Sequence, residues 1–518
     1  MDKLLQQYLD YRGFSYEELT NSSLKKIPPF LLKDLEKVAL RVVQAIQKNE
    51  KICIYGDYDV DGICAISLLY HFLKQFKVEL FTYQPDRFEE GYGLHEKGIL
   101  EALNHGCSLF ITVDLGINAV DIIAQFSQKI DIIITDHHLQ IQEELPSAFA
   151  VINPNRKDEN CHPFFKDCCA ATVVFILSVE INKHFNKTSC YDLLVFVAIA
   201  TLCDQVQLNP MNLTFVRHGL NLLVNTKFPG LQVFQTDKKI SEEFIQFYIG
   251  PILNAQGRLD HAKKSLKLLL SESFEEASQL FLELKTKNEE RKAIQKTVYS
   301  EVVQILDQKK HSSISFAYGD WHEGVLGIVA SKIVEKTKKP TFLLRPTEEG
   351  FKGSARTFEN IHLLDILEKA EHCFLKYGGH KAAAGFLVKK NSLESLESIL
   401  EHEVSDFLQS GRLFNQSFKI LCSLQDLSLE VFSLFESLRP FGQGNPRPIF
   451  QIMDFEVQSI SFLKEKYPLI KLYKSPLRVF SFNENLSKEH ILKSKTMETH
   501  LVWNDYSSKI ELRPLAFY

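Results

Sequence analysis

The N-terminal half of the chain alternates short apolar runs with amphipathic stretches. Lys51–Tyr55, Val78–Tyr83, Leu109–Val113, Ile132–Thr135 and Ala148–Asn153 read as strands. Gly62–Phe72 between the first two reads as a helix, and two apolar helices follow at about 170–185 and 191–203. Strands alternating with helices predict βαβ units and a mostly parallel sheet. Such strands are covered on both faces, so their apolar runs are continuous rather than alternating. Residues 272–307 change character. Glu and Lys dominate, with Phe274, Ala277, Leu280, Phe281, Leu284, Ile294, Val298 and Val302 at helical spacing and neither Gly nor Pro. This predicts one long helix, or two in line, joining two lobes. A second α/β segment runs from about Ser312 to Glu403, and a segment rich in short strand-like runs from about 413 to 518. The first 45 residues read as amphipathic helix.

Composition adds little to that picture but excludes much. The chain has 518 residues, 45% hydrophobic and 24% charged, the mix of a globular protein of about three domains. The longest apolar stretch, Leu193–Cys203, is roughly half of the ~20 residues a membrane-spanning helix needs. The N-terminus lacks the apolar core of a signal peptide, so a cytoplasmic location is expected. Ten cysteines are too sparse for a disulfide framework. Cys161, His162, Cys168 and Cys169 form the only dense Cys/His group; they read as reduced thiols in a core or loop, or as zinc ligands lacking the usual spacing. The net charge of −5 does not advertise nucleic-acid binding. A local basic groove can still coexist with an acidic metal site.

The acidic signal is Gly56-Asp-Tyr-Asp-Val-Asp-Gly62. Three carboxylates at alternate positions repel one another, and a divalent cation is their usual remedy. An EF-hand is excluded, because Leu68 occupies the position of its last ligand and a strand precedes the loop. A solvated acidic turn remains open for this loop taken alone. Asp114, Asp136-His137-His138 and Asp204 also close apolar runs. Residues just past the carboxyl ends of parallel strands converge on one crevice. Asp59, Asp61, Asp114 and His137 are therefore expected in one pocket, with Asp204 closing it. Such a set suits manganese, or magnesium that keeps some waters. Two such ions form the usual clamp on a phosphate ester. Neither Gly91-Tyr-Gly93 nor any other segment forms a nucleotide-binding glycine pattern.

With the D-x-D loop, the isolated strand-end Asp and the Asp-His-His triplet, the chain resembles the DHH phosphoesterase superfamily. Five further segments narrow the resemblance: GPILNAQGRLD (250–260), GDWHEGVLGIVASKI (319–333), KGSARTFENIHLLDIL (352–367), YGGHKAAAGF (377–386) and LRPFGQGNPRP (438–448). Together they are similar to the RecJ family of single-strand-specific 5′-to-3′ exonucleases, over about 45–450. The resemblance implies a helical segment (1–45), a parallel-sheet α/β DHH domain (46–270), a long connecting helix (271–308), a smaller α/β DHHA1 domain (309–405) and a β-rich OB-like nucleic-acid-binding domain (406–518). It implies two Mn2+ or Mg2+ ions held by Asp59, Asp61, Asp114, His137 and Asp204, with Asp114 bridging. Asp57 would support the ligands, Asp136 would orient His137, and His138 would contact the scissile phosphate. Tyr55 stands where some members carry a metal-binding histidine. Arg87, Arg258, Ser354, Arg356 and His380 would bind substrate; taken singly, each also reads as a surface residue or part of a tight turn. Single-stranded DNA would be the substrate, 5′-mononucleotides the product, and DNA repair and recombination the use. A helicase or single-strand-binding protein are expected partners, and the chain is expected to be a monomer. A DHH phosphodiesterase acting on short oligonucleotides or dinucleotides is the alternative, and a non-enzymatic replication scaffold a more distant one. In the last segment Lys464, Lys466, Lys471, Lys474 and Arg478 interleave with Tyr467, Tyr473, Phe480 and Phe482. This suits single strands, or a β-sheet with a solvated face and an aromatic core.

Overall fold

The computed structural model describes residues 2–86, 90–185, 190–237, 239–259, 263–309, 312–358, 361–409, 418–483 and 486–518. Two compact units divide the chain: Met1–Gly250 with Leu266–Ser278 and Ser417–Tyr518, and Pro251–Ser265 with Gln279–Gln416.

The first unit is built on β1 (Ile52–Gly56), β2 (Leu80–Tyr83), β3 (Leu109–Val113), β4 (Asp131–Thr135) and β5 (Ala150–Ile152). They form an all-parallel sheet in the order β2-β1-β3-β4-β5. Every residue of β1, β3 and β5 is buried, as continuous apolar strands require. The helices Val60–Lys74, Ala170–Asn182 and Leu194–Cys203 are apolar nearly all round and pack on one another. From β1 the chain crosses to β2 on one side and reaches β3 on the other. That reversal opens a crevice at the carboxyl ends of β1 and β3. The fifth strand is shorter than its apolar pattern, because Asn153 leaves the sheet to bond the loop after β4.

The second unit carries a mixed sheet of β6 (Ser315–Tyr318), β7 (Thr341–Pro346), β8 (Gly350–Arg356), β9 (Phe374–Gly379) and β10 (Ala383–Lys389), in the order β6-β7-β8-β10-β9. The helix Glu323–Thr337 lies on β7 and β8. Phe274–Asp307 is one unbroken helix rather than two in line; its C-terminal half buries Val298 and Val302 against Val325, Val329 and Ile333.

The C-terminal strands are β11 (Ile420–Cys422), β12 (Phe450–Met453), β13 (Val457–Leu463), β14 (Tyr467–Leu472), β15 (Arg478–Phe480), β16 (Thr496–Asn504) and β17 (Lys509–Phe517). They form one sheet in the order β11-β12-β16-β17-β15-β14-β13. It belongs to the first unit, where the N-terminal helix Lys3–Arg12 clasps it. The buried Tyr8 hydroxyl bonds Asn445 and Pro446 at 2.9 and 2.8 Å, and Tyr11 stacks on Phe418 at 4.3 Å. The 438–448 segment completes the joint. Arg217 donates to the Leu438 and Arg439 carbonyls, and Glu242 accepts from Arg439 and from the Phe441 N–H. Among the described residues, no helix is long and apolar enough to cross a membrane.

Candidate metal centre

The strand β1 ends at Gly56, and the acidic loop passes directly into the helix Val60–Lys74. Asp59 caps that helix, its side chain accepting the Gly62 N–H at 3.0 Å. The turn is tight: a Cβ on Gly62 would lie 2.4 Å from the Asp57 carbonyl oxygen. Asp61, in the first helical turn, is buried and points at a second helix N-terminus. Its two oxygens accept the Ala170 and Ala171 N–H groups at 2.7 and 2.9 Å. Those amides favour the charged carboxylate.

Asp114 follows β3 in the left-handed region, at φ +65°. This is a conformation that Asp tolerates better than most residues, and such strain concentrates at functional sites. Its N–H donates to the Thr135 carbonyl, so the β3–β4 ladder itself aims the carboxylate into the crevice. His137 follows β4, and its Nε2 lies 3.1 Å from Asp114 Oδ1, 3.6 Å from Asp61 Oδ2 and 3.9 Å from Asp204 Oδ2. Asp204 caps the C-terminus of Leu194–Cys203. Asp57, expected only to support the ligands, offers a carboxylate atom within 4.8 Å of those of Asp59 and Asp114. The groups Asp57–Asp59–Asp114 and Asp61–His137–Asp204 thus abut, joined by the Asp114–His137 contact.

Five carboxylates crowd the His137 imidazole here, with His138 Nδ1 3.9 Å from Asp114 Oδ1 at the edge of the cluster, and their electrostatics show the strain. Burial first, then repulsion from Asp61, Asp59, Asp57 and Asp204, pushes the Asp114 carboxyl well above the usual carboxylate range. Burial, Asp61 and Asp59 push Asp204 up to about 8. Burial also raises Asp61, with His137 opposing and Asp59 adding to the rise. Divalent cations relieve such crowding, and a donor set of carboxylate oxygens with one imidazole fits Mn2+ or Mg2+.

Asp136 does not orient the ring it was expected to. One oxygen accepts from the His137 and His138 N–H groups and, at 2.8 Å, from His138 Nδ1; the other accepts the Ile117 N–H. It therefore fixes the imidazole of His138, because the turn after β4 points the His137 ring away toward Asp114. Burial opposes ionisation of both, but their mutual hydrogen bond holds Asp136 below its ordinary value and lifts His138 to about 9. Tyr55 supplies no ligand to the cluster. Its hydroxyl is bonded to the Gly93 carbonyl and the His95 N–H. Sequence reasoning missed Asn153 and Asn155, whose amides hold the His138 and His137 carbonyls at 2.9 and 2.7 Å. The Asn-Pro-Asn triplet directly after an apolar run was the available signal.

In the second unit, Arg258, Ser354 and Arg356 meet the first turns of one helix. A Cβ on Gly324 would strike the Arg258 carbonyl oxygen at 1.8 Å; one on Gly327 would lie 2.6 Å from Arg356 Nη2 and 3.2 Å from Ser354 Oγ. Arg356 Nη1 donates to Ser354 Oγ at 3.1 Å. His380 sits exposed in the β9–β10 hairpin, its N–H bonded to the carbonyl of Ala383, which pairs with Arg356. Arg87 lies outside the described residues. Cys168 and Cys169 are buried, and the Cys169 thiol contacts Thr172 and Thr201. In the C-terminal sheet, Lys471 faces Arg478 across β14 and β15, and the Arg513 guanidinium lies 4.6 and 4.8 Å from the Phe480 and Phe482 rings.

Family models match in the same order: the DHH family N-terminal domain over residues 51–201, the DHHA1 domain over 296–409 and the RecJ OB domain over 420–511. The single-stranded-DNA-specific exonuclease RecJ of Bacillus subtilis is 34% identical, over 81% of this chain and 54% of its own length, so this chain spans about half of that relative. The Escherichia coli protein of the same name is 30% identical, over 86% of this chain and 82% of its own. The crystal structure of Thermus thermophilus RecJ in complex with Mn2+ superposes with a TM-score of 0.83 at 25% identity, covering 99% of this chain and 76% of that one. Domain order, extent of identity and fold agree: the chain belongs to the RecJ family.

Proposed function

We propose that this chain is a metal-dependent exonuclease that removes 5′-mononucleotides from single-stranded DNA. The observation that carries the reading is the cluster centred on Asp114 and His137, which gathers five carboxylates at the sheet's switch point. Asp57, Asp59 and Asp114 would hold one Mn2+ or Mg2+ ion; Asp61, His137 and Asp204, with Asp114 shared, would hold a second. Ions held there would supply activation of a water and stabilisation of the charge that develops on the phosphate. The chain's own groups do the rest. Helix amides orient the Asp61 carboxylate, Asn155 fixes the His137 backbone, and Asp136 presents His138 to the scissile phosphate. Arg258, Ser354 and Arg356 would take the 5′-terminal phosphate, since a guanidinium fork beside a hydroxyl and a helix N-terminus matches that anion. Arg87 and His380 would meet the strand's backbone. Lys471 and Arg478, like charges directly opposed, favour a polyanion across them, and the Arg513–Phe480–Phe482 cluster offers faces for bases. The same reading places the enzyme in DNA repair and recombination, as a monomer working with a helicase or a single-strand-binding protein.

A long single strand labelled at its 3′ end tests the proposal, with blunt duplex and a dinucleotide alongside. Progressive shortening from the 5′ end in Mn2+ or Mg2+, absent on duplex and stopped by chelator, is the expected result. Rapid cleavage of the dinucleotide with the long strand intact would overturn it.

A further inference from the structure

The Gly91–His95 segment reaches the metal centre, and the mechanism above leaves it unused. Tyr55, fully buried at the end of β1, holds this segment through two hydrogen bonds: its hydroxyl donates to the Gly93 carbonyl at 3.0 Å and accepts the His95 N–H at 3.2 Å. The Tyr55 ring stacks on Tyr83 at 5.4 Å, and the Tyr83 hydroxyl bonds Glu90. At the other end, the Glu90 and Gly91 N–H groups both donate to the Asp86 carbonyl. Gly91 and Gly93 sit at φ +88° and +109°, so the chain bends sharply on either side of Tyr92. The anchored loop presents Tyr92 with 55% of its surface exposed. Its hydroxyl nevertheless lies 3.2 Å from Nε2 of His138, with the two rings edge to face at 6.0 Å.

Asp136 already occupies Nδ1 of the same imidazole at 2.8 Å. Nε2 is therefore the nitrogen that faces substrate, and Tyr92 is the side chain at it. We propose that Tyr92 is a positioning residue for phosphodiester hydrolysis. With Asp136 it grips the His138 ring from both nitrogens, keeping Nε2 where its N–H can be shared between the tyrosine hydroxyl and a phosphate oxygen. A ring held at one nitrogen can pivot about that bond; one held at both cannot, and a fixed donor loses no orientational freedom at the moment of reaction. The inference rests on the hydrolase reading above and assigns a role to the hydroxyl, not to the aromatic face.

The test is a double-mutant cycle of Tyr92→Phe and His138→Ala, with Tyr92→Ala beside it. Rates are read on a long 5′-phosphorylated strand and on bis(p-nitrophenyl) phosphate. Tyr92→Phe should lower kcat about tenfold with KM nearly unchanged, and Tyr92→Ala should do no worse in kcat. In the His138→Ala background, Tyr92→Phe should have no further effect. Nitrogen-15 spectra of the imidazoles give a second readout that needs no turnover: the His138 Nε2 resonance should move in Tyr92→Phe. A Tyr92→Phe enzyme with wild-type kcat and an unmoved resonance would overturn the proposal. So would a rise in KM confined to Tyr92→Ala, which would mean that the ring stacks on a base. Wild-type activity on the small diester but not on the strand would fail the exonuclease reading alone, since the coupling would still be read on the diester.

Discussion

Asp114 concentrates the chemistry of the site in one side chain. It lies in left-handed backbone, is buried, touches His137 and is raised by four neighbouring carboxylates. Asp114→Asn tolerates the same backbone and removes the charge. Turnover should fall by about 10³-fold or more, while stability in chelator stays equal or rises, because the repulsion is relieved. Stability should also respond to pH when metal is removed. Asp204 rises from its ordinary 3.8 to about 8 in the folded chain, so between those values the folded state binds more protons than the unfolded. Its contribution to stability is thus present at low pH and is lost as pH climbs toward 8. Thermal melts in chelator should fall across that window, and Mn2+ should flatten the slope; a chelated protein that gains stability from pH 5 to 8 would contradict the assignment. That Asp59, Asp61, Asp114 and His137 share one pocket was legible in the sequence because parallel topology sends strand ends to one crevice, which Asp204 closes from a helix end. The parts played by Asp57, Asp136 and Tyr92 were not, because they depend on which way a loop side chain turns.

The elements that carry these residues were readable from hydrophobic period to within a few positions, and the departures have local causes. Asn153 leaves the sheet early to hold the His138 carbonyl, which trims the fifth strand. Where Tyr55 points was illegible, since a strand-end tyrosine serves a metal or a loop equally well until the neighbouring segment is placed. Gly62 is the element-scale device with the sharpest consequence. Alanine there meets the Asp57 carbonyl at 2.4 Å, and backbone cannot yield as a side chain can. Gly62→Ala should unseat the strand-to-helix turn, cost about 1–3 kcal/mol and abolish metal-dependent turnover; calorimetry and the strand assay check both. Gly327→Ala should act on the other site, displacing Arg356 by steric contact. The preference for a 5′-phosphate over a 5′-hydroxyl should shrink, while hydrolysis of a small diester stays unchanged.

Across the molecule, the N-terminal helix finds a structural role that its amphipathic sequence did not disclose. It joins the C-terminal sheet through Tyr8, Tyr11 and the Gln7 side-chain amide, which donates to the Leu421 carbonyl and accepts the Leu421 N–H, partners more than 400 residues away that no local pattern reveals. Tyr8→Phe leaves the buried Asn445 and Pro446 groups short of a donor and should cost about 1–2 kcal/mol. Limited proteolysis should then release the C-terminal sheet sooner than in the wild type, with the metal centre still loaded. The claim on which the rest depends is that the crowded carboxylates form a two-ion site. Soaking crystals of the whole chain in Mn2+ and recording anomalous differences measures it directly. Two peaks are predicted: one beside Asp57 and Asp59, one beside Asp61, His137 and Asp204, with Asp114 between them and both lost in Asp114→Asn. A cluster that stays empty at millimolar Mn2+, or binds equally well without the Asp114 carboxylate, would contradict the account.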